Sequence, residues 1–326
     1  ERYEVLSRFP EDVVLNLTCH AGGCAEHRNG WRNACNDYTI SVPGLAPCAR
    51  GEAAFAKSGG RRFYLMCNTG GLTWDFGCIP FEPFPFQWKR RWDALEACRI
   101  KNGLAGLMES HHFGWYPNFI SELAKEAFTE GGMPFDEHLR LLAVRDYGVR
   151  RAADVIDVWK RWSAAIADYP ATNANQYGPF RIGPAYPFVF GGPNVAPLLA
   201  DKPAPRDAFR FPMPPHATHS LAWMCNLNYD GTHGDVPQDP DCPPDLGKEL
   251  ELLESMEREF DAGADVLAES GNMRQATLGR YLARTVSTAI HVKRGRDAFV
   301  RGDRSALMDA ARAEFTRWRR LCDIYF

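Results

Sequence analysis

Three short apolar runs, residues 12–17, 62–67 and 104–108, alternate with helical stretches at 51–57, 87–100 and 118–128. The second run is entered through Gly59-Gly60 and the third through Gly103. Strands that alternate with helices can pair only through crossover connections, so the pattern predicts βαβ units and a parallel sheet. Each run ends in a polar, aromatic-rich segment: His20 onward, Asn68 to Asp75, and Glu109 to Pro117. In α/β barrels the carboxyl ends of the strands carry the active site, so these segments are where chemistry is expected.

Beyond residue 130 the period changes. Ala152, Val155, Trp159, Trp162 and Ile166 recur at helical spacing. So do Leu253, Met256, Phe260, Ala264 and Leu267, then Leu278, Leu282, Val286 and Ile290, then Leu307, Ala311, Phe315 and Trp318. Four amphipathic helices packing into a core are expected. The chain therefore divides into an α/β portion over 1–130 and a mainly α-helical domain over 131–326. Within the latter, a long loop at 170–245 holds 15 of the 23 prolines. Loops of that length in a compact domain are often functional.

Composition excludes several classes. The formal charge of −3 lacks the basic field of a nucleic-acid binder. No run approaches the ~18 apolar residues of a membrane span. Neither a phosphate-binding loop nor a dinucleotide fingerprint occurs, and G-x-S-x-G is absent, so no cofactor is expected. The ten cysteines follow no repeated tight spacing in a chain long enough to build a core without staples, and residues 1–10 do not read as a leader. Reduced thiols and a cytoplasmic location are the expectation, with secretion the alternative if an upstream leader has been removed.

Glu109-Ser110-His111-His112-Phe113-Gly114-Trp115-Tyr116 packs a carboxylate, two imidazoles and two large aromatics into eight residues at a strand end. Such groups move protons and stack on sugar rings. Asp75 ends the preceding strand beside Trp74, and paired carboxylates suit glycosidic chemistry. Glu109 and Asp75 are the catalytic candidates. His20, Arg28, Trp74, His111, His112, Trp115 and Tyr116 are candidate substrate contacts. Gln176, Tyr177 and Arg181 join them because Pro and Gly stiffen the segment that carries them, 175–187. Cys19, His20, Cys24 and His27 have the composition of a zinc site, but their spacing fits no pattern in which paired ligands close a tetrahedron.

The order Asp37-Tyr38-Thr39-Ile40-Ser41-Val42-Pro43-Gly44, then Asn68 with Thr73-Trp74-Asp75 and Pro80, then Gly106-Leu107-Met108-Glu109-Ser110 with Gly114-Trp115-Tyr116-Pro117-Asn118, resembles the later barrel strands of bacterial glycoside hydrolases related to family 20, the β-N-acetylhexosaminidase type. Gln176-Tyr177-Gly178-Pro179 with Gly183-Pro184-Ala185 resembles a segment that follows the barrel in that group. Together these stretches cover about half the chain. The resemblance implies a (β/α)8 (TIM) barrel, of which this chain holds the later strands, followed by an α-helical domain. It also implies metal-free glycosidase activity on a glycan or glycoconjugate, with a hexosaminide as the model substrate. The partners implied are a carbohydrate and either an upstream barrel half or a second copy, but neither nucleic acid nor membrane. The family's Asp-Glu pair is not carried over, because no Asp-Glu dipeptide follows a strand here, and His20 stands where relatives tend to place a carboxylate. Two other readings stay open: a non-catalytic carbohydrate-binding protein, and a metal-dependent hydrolase using Cys19, His20, Cys24 and His27.

Overall fold

Strand β1 (Leu15–Thr18) is laid against β4 (Phe63–Met66), and β4 against β5 (Gly106–Met108), all parallel and in one sheet of order β1-β4-β5. This is seen in a computed structural model that describes residues 2–20, 23–35, 38–77, 79–109, 117–176, 178–186, 188 and 242–325. The first strand starts three residues later than its apolar run, and Val13 and Val14 are partly exposed. The pleat sends Leu15, Leu17, Phe63 and Leu65 to one face, where they meet two crossover helices. Helix α2 (Pro47–Ser58) offers Ala49, Ala53 and Ala56, a small-residue stripe that lets it lie close. Helix α3 (Pro85–Asn102) offers Leu95 and Cys98, and stops where Gly103 turns left-handed at φ 75°. The opposite face carries Asn16, Tyr64 and Met108, all exposed. A (β/α)8 barrel has eight such strands; three are present among the described residues.

Two elements were not legible in advance. An antiparallel hairpin, β2 (Gly23–Glu26) with β3 (Arg32–Cys35), occupies the Cys/His-rich stretch. Helix α5 (Phe135–Tyr147) lies between α4 (Phe119–Ala127) and α6 (Val149–Ala165). The remaining helices are α1 (Arg2–Ser7), α7 (Asn173–Gln176), α8 (Pro179–Ile182), α9 (Leu246–Glu269), α10 (Met273–Val300) and α11 (Arg304–Tyr325). Most of the 170–245 loop lies outside the described residues.

Helices α6, α9 and α10 bury the apolar positions their period singled out, Leu278 only in part. Helix α11 does not. Phe315 and Trp318 are exposed at 67% and 41%, while Glu314 and Arg317 are buried. The expectation that Leu307, Ala311, Phe315 and Trp318 form its core face is therefore corrected. Glu314 accepts from Arg317 Nη2, from Thr288 Oγ1 (3.0 Å) and from His291 Nδ1 (2.8 Å), so a charged network on α10 selects which face turns in. A well-partnered ion pair can be buried, and its contacts outweighed the apolar pattern of the helix.

Candidate functional site

The parallel strands deliver their carboxyl ends side by side. Cys19 and His20 follow β1, Cys67, Asn68 and Thr69 follow β4, and Glu109 follows β5. Cys19 and Cys67 continue the register of Thr18 and Met66, and both thiols are buried. Hydrogen bonding between them and burial push Cys67 up, whereas the bond from Cys67, against burial, holds Cys19 well below the usual thiol value. Cys19, Cys24, Cys35, Cys48, Cys67, Cys98 and Cys242 form no disulfide among the described residues.

Arg91 organises what lies above the strand ends. It sits on the buried face of α3 with Gln87, Trp88, Trp92 and Leu95. Its Nε donates to the Pro43 carbonyl (2.6 Å), Nη1 to Asn68 O (3.2 Å), and Nη2 to Val42 O (3.0 Å) and Thr39 O. Nη2 also meets His20 Nε2 at 3.0 Å. Arginine nitrogens only donate, so His20 Nε2 accepts and the ring proton sits on Nδ1. One guanidinium thus ties residues 39–43 to the ends of β1 and β4.

Behind that loop lie two buried carboxylates. Asp75 Oδ2 accepts from Ile40 N (2.7 Å) and Thr39 Oγ1 (2.9 Å), and Oδ1 accepts from Gln176 Nε2 (3.0 Å). Burial raises its pKa to about 6, against the opposing pull of those three donors. Glu82 Oε1 accepts from Thr73 Oγ1 and from Phe76 N (3.2 Å), and Oε2 has no partner among the described residues. Burial, then the nearby charge of Asp75, lifts Glu82 well above the carboxylate range. The Tyr169 hydroxyl is buried with them, likewise without a partner among the described residues.

Glu109 differs in kind. It is half-buried, with Oε1 accepting from Thr69 N at 2.6 Å and Oε2 from the Thr69 hydroxyl. Both oxygens are oriented by the neighbouring strand end, and solvent still reaches the residue.

The other candidates separate. Gln176 meets Asp75 across 101 residues of sequence. Arg181 lies beside Gly77, where an added Cβ would sit 3.6 Å from its Cγ. Trp74 packs on Tyr38 with ring centroids 4.7 Å apart. Arg28 grips Asp168 through Nε at 2.9 and 3.0 Å, fastening the hairpin to the turn after α6. His111, His112, Trp115, Tyr116 and Tyr177 lie outside the described residues. The Cys/His set does not converge: Cys19 turns to Cys67, His20 to Arg91, and His27 to Asn33 Oδ1 at 2.6 Å. No three His, Cys, Asp or Glu side chains that could share a metal ion come together among the described residues.

Glu82 and Arg91 escaped the sequence reading. Arg91 leaves a signal, a charge in the middle of the apolar stripe Trp88, Trp92, Leu95, which demands internal partners. Glu82 leaves none beyond its apolar neighbours. No family model, characterised protein or solved structure matches this chain.

Proposed function

We propose that the protein is a glycoside hydrolase acting on a glycan or glycoconjugate, with Glu109 as its acid/base carboxylate. The observation that carries this is Glu109 itself: a solvent-reached carboxylate, held by the amide and hydroxyl of Thr69, at the carboxyl end of a parallel sheet. A general acid needs an orienting partner and access to substrate, and Glu109 has both. Asp75 is wholly buried, so its part in this reading is to position residues 39–41 and Gln176 rather than to meet the sugar. The same burial favours a second reading, a carbohydrate-binding protein without hydrolysis, because glycosidases generally use two carboxylates at the mouth.

Glu109→Gln decides between them. Under the hydrolase reading it lowers turnover of an aryl hexosaminide or related glycoside by ~10²-fold or more, with thermal stability nearly unchanged. If wild-type protein binds oligosaccharides but cleaves none across a panel of aryl glycosides, the binding reading holds. Loss of folded protein with activity per folded molecule intact makes Glu109 structural and ends its catalytic assignment.

A further inference from the structure

A cavity of about 660 Å³ opens where the start of α4, the α5–α6 junction and the start of α10 meet. Three arginines, Arg145, Arg151 and Arg274, stand in its polar wall against two carboxylates, Glu122 and Asp146. Asn272 lines it, is 4% exposed, and its buried Nδ2 has no acceptor among the described residues. Asn272 is also the N-cap of the 28-residue α10 but makes no side-chain cap, so the first-turn amides of Met273, Arg274 and Gln275 have no intrahelical partner. Those three residues line the cavity too.

A hydrogen-bond relay adds another donor. Trp159 Nε1 can only donate, and it donates to Gln275 Oε1 at 3.5 Å. Gln275 therefore presents Nε2 to Tyr147 Oη, at 2.6 Å. The Tyr147 oxygen is thus the acceptor in that pair, and its own proton is left to donate at the cavity wall. The side chains of Arg151 and Arg274 line the same space and make no ion pair or hydrogen bond among the described residues. The two carboxylates present, Glu122 and Asp146, are both taken up by Arg145, through contacts of 2.6 and 3.0 Å to the first and 2.6 and 2.9 Å to the second. Three arginines thus face this space against two carboxylates, and Arg145 alone holds both carboxylates.

We infer that this cavity binds a small molecule through an oxyanion — a carboxylate, sulfate or phosphate group — held by Arg151, Arg274, Tyr147 and the amino end of α10. A helix N-terminus favours negative charge, and buried donors require acceptors. The inference does not depend on the glycosidase reading.

Calorimetric titration of the full chain with sodium sulfate, sodium phosphate, glucuronate and neutral N-acetylglucosamine, at constant ionic strength, tests it. At least one anion binds saturably, and the neutral sugar does not compete. Tightest binding of glucuronate marks an acidic saccharide as the source of the group; tightest binding of sulfate or phosphate marks the inorganic or esterified oxyanion. Arg151→Gln with Arg274→Gln, both at exposed positions, weakens binding at least ~10-fold, the scale of a lost charge-assisted contact, without lowering the melting temperature. Tyr147→Phe weakens it by a smaller factor. Glu109→Gln leaves anion binding as it is, so the two readings fail separately. No saturable anion binding up to ~10 mM, or binding that the arginine pair and Tyr147→Phe leave unchanged, overturns the inference.

Discussion

Single residues here carry charge into places where water does not follow. Asp75 is the clearest. Its ordinary pKa of 3.8 rises to about 6 on folding because burial penalises the carboxylate more than Thr39, Ile40 and Gln176 favour it. A carboxyl whose folded pKa is raised binds its proton more tightly in the native state. Its contribution is therefore fully present below pH 4 and is lost as pH climbs through 6. At about 1.4 kcal/mol per tenfold change in proton affinity, the loss is roughly 3 kcal/mol. Glu82, shifted in the same direction by burial and by Asp75, adds to the slope. Urea unfolding of wild type and Asp75→Asn at pH 4.5 and 6.5 checks this. Wild type should lose about 2 kcal/mol more than the variant over that interval, since asparagine does not titrate. Equal slopes for the two proteins would show that Asp75 does not change its proton affinity on folding.

Among the elements, α9 and α10 close tightly on α6. Trp162 of α6 is fully buried, and glycines on both partner helices make room for it. A Cβ at Gly263 would stand 2.3 Å from Trp162 Nε1, and one at Gly279 2.4 Å from Cζ2 and 3.0 Å from the Ala264 Cβ. Two effects oppose each other in Gly279→Ala. Alanine improves helix propensity by about 1 kcal/mol. Overpacking a rigid indole costs about 1–3 kcal/mol or more. The steric term wins because neither the ring nor the helix backbone has room to retreat, so the melting temperature falls. Gly247→Ala in the first turn of α9 is the control. The nearest atom to its Cβ is Asp245 Oδ1 at 3.5 Å, so only the propensity gain acts and stability holds or rises. Scanning calorimetry of both variants reads the difference, and a stabilised Gly279→Ala would mean the helices can separate at no cost.

At the scale of the whole molecule, part of the α/β portion shares the apolar core of the helical portion, while the sheet packs on α2 in a second cluster, and α3 contributes to both. Ile40, Phe76, Phe84, Trp88 and Trp92 belong to the same buried cluster as Trp159, Trp162, Phe260, Val286 and Ile290. Phe84 stacks on Phe260 with centroids 5.8 Å apart, and Phe119 on Trp159 at 4.2 Å. Gln176 on Asp75 and Arg28 on Asp168 are polar stitches across the same seam. Residues that lose a shared core lose it together, so unfolding should follow one cooperative transition. Tryptophan fluorescence and far-ultraviolet circular dichroism should give coincident urea curves. Two resolved transitions would mean the portions fold apart despite the contacts between them.

The amino-acid sequence alone determined the parallel pairing of three strands, the positions of α2, α3 and α4, and the placement of Glu109 at a strand end. These follow from period, from glycine at the turns, and from caps such as Asn118, whose side chain accepts from Ile120 N and Ser121 N. Such rules act over a few residues, so a local reading finds them. The hairpin at 23–35 was hidden because its strands are four residues each and rich in polar and small side chains. The buried face of α11 was misread because Glu314 and Arg317 pay for their burial with partners on another helix, Thr288 and His291 among them. Only the tertiary structure decided that Asp75 and Glu82 lie out of solvent, that Arg91 binds three segments at once, and that the donors around Tyr147 and Asn272 share a cavity. These arrangements bring together groups far apart in the chain, from Arg91 with Asn68, 23 residues away, to Tyr147 with Gln275, 128 residues away. Burial and electrostatics are set by which surfaces meet, and that is a property of the assembled core rather than of any stretch of chain.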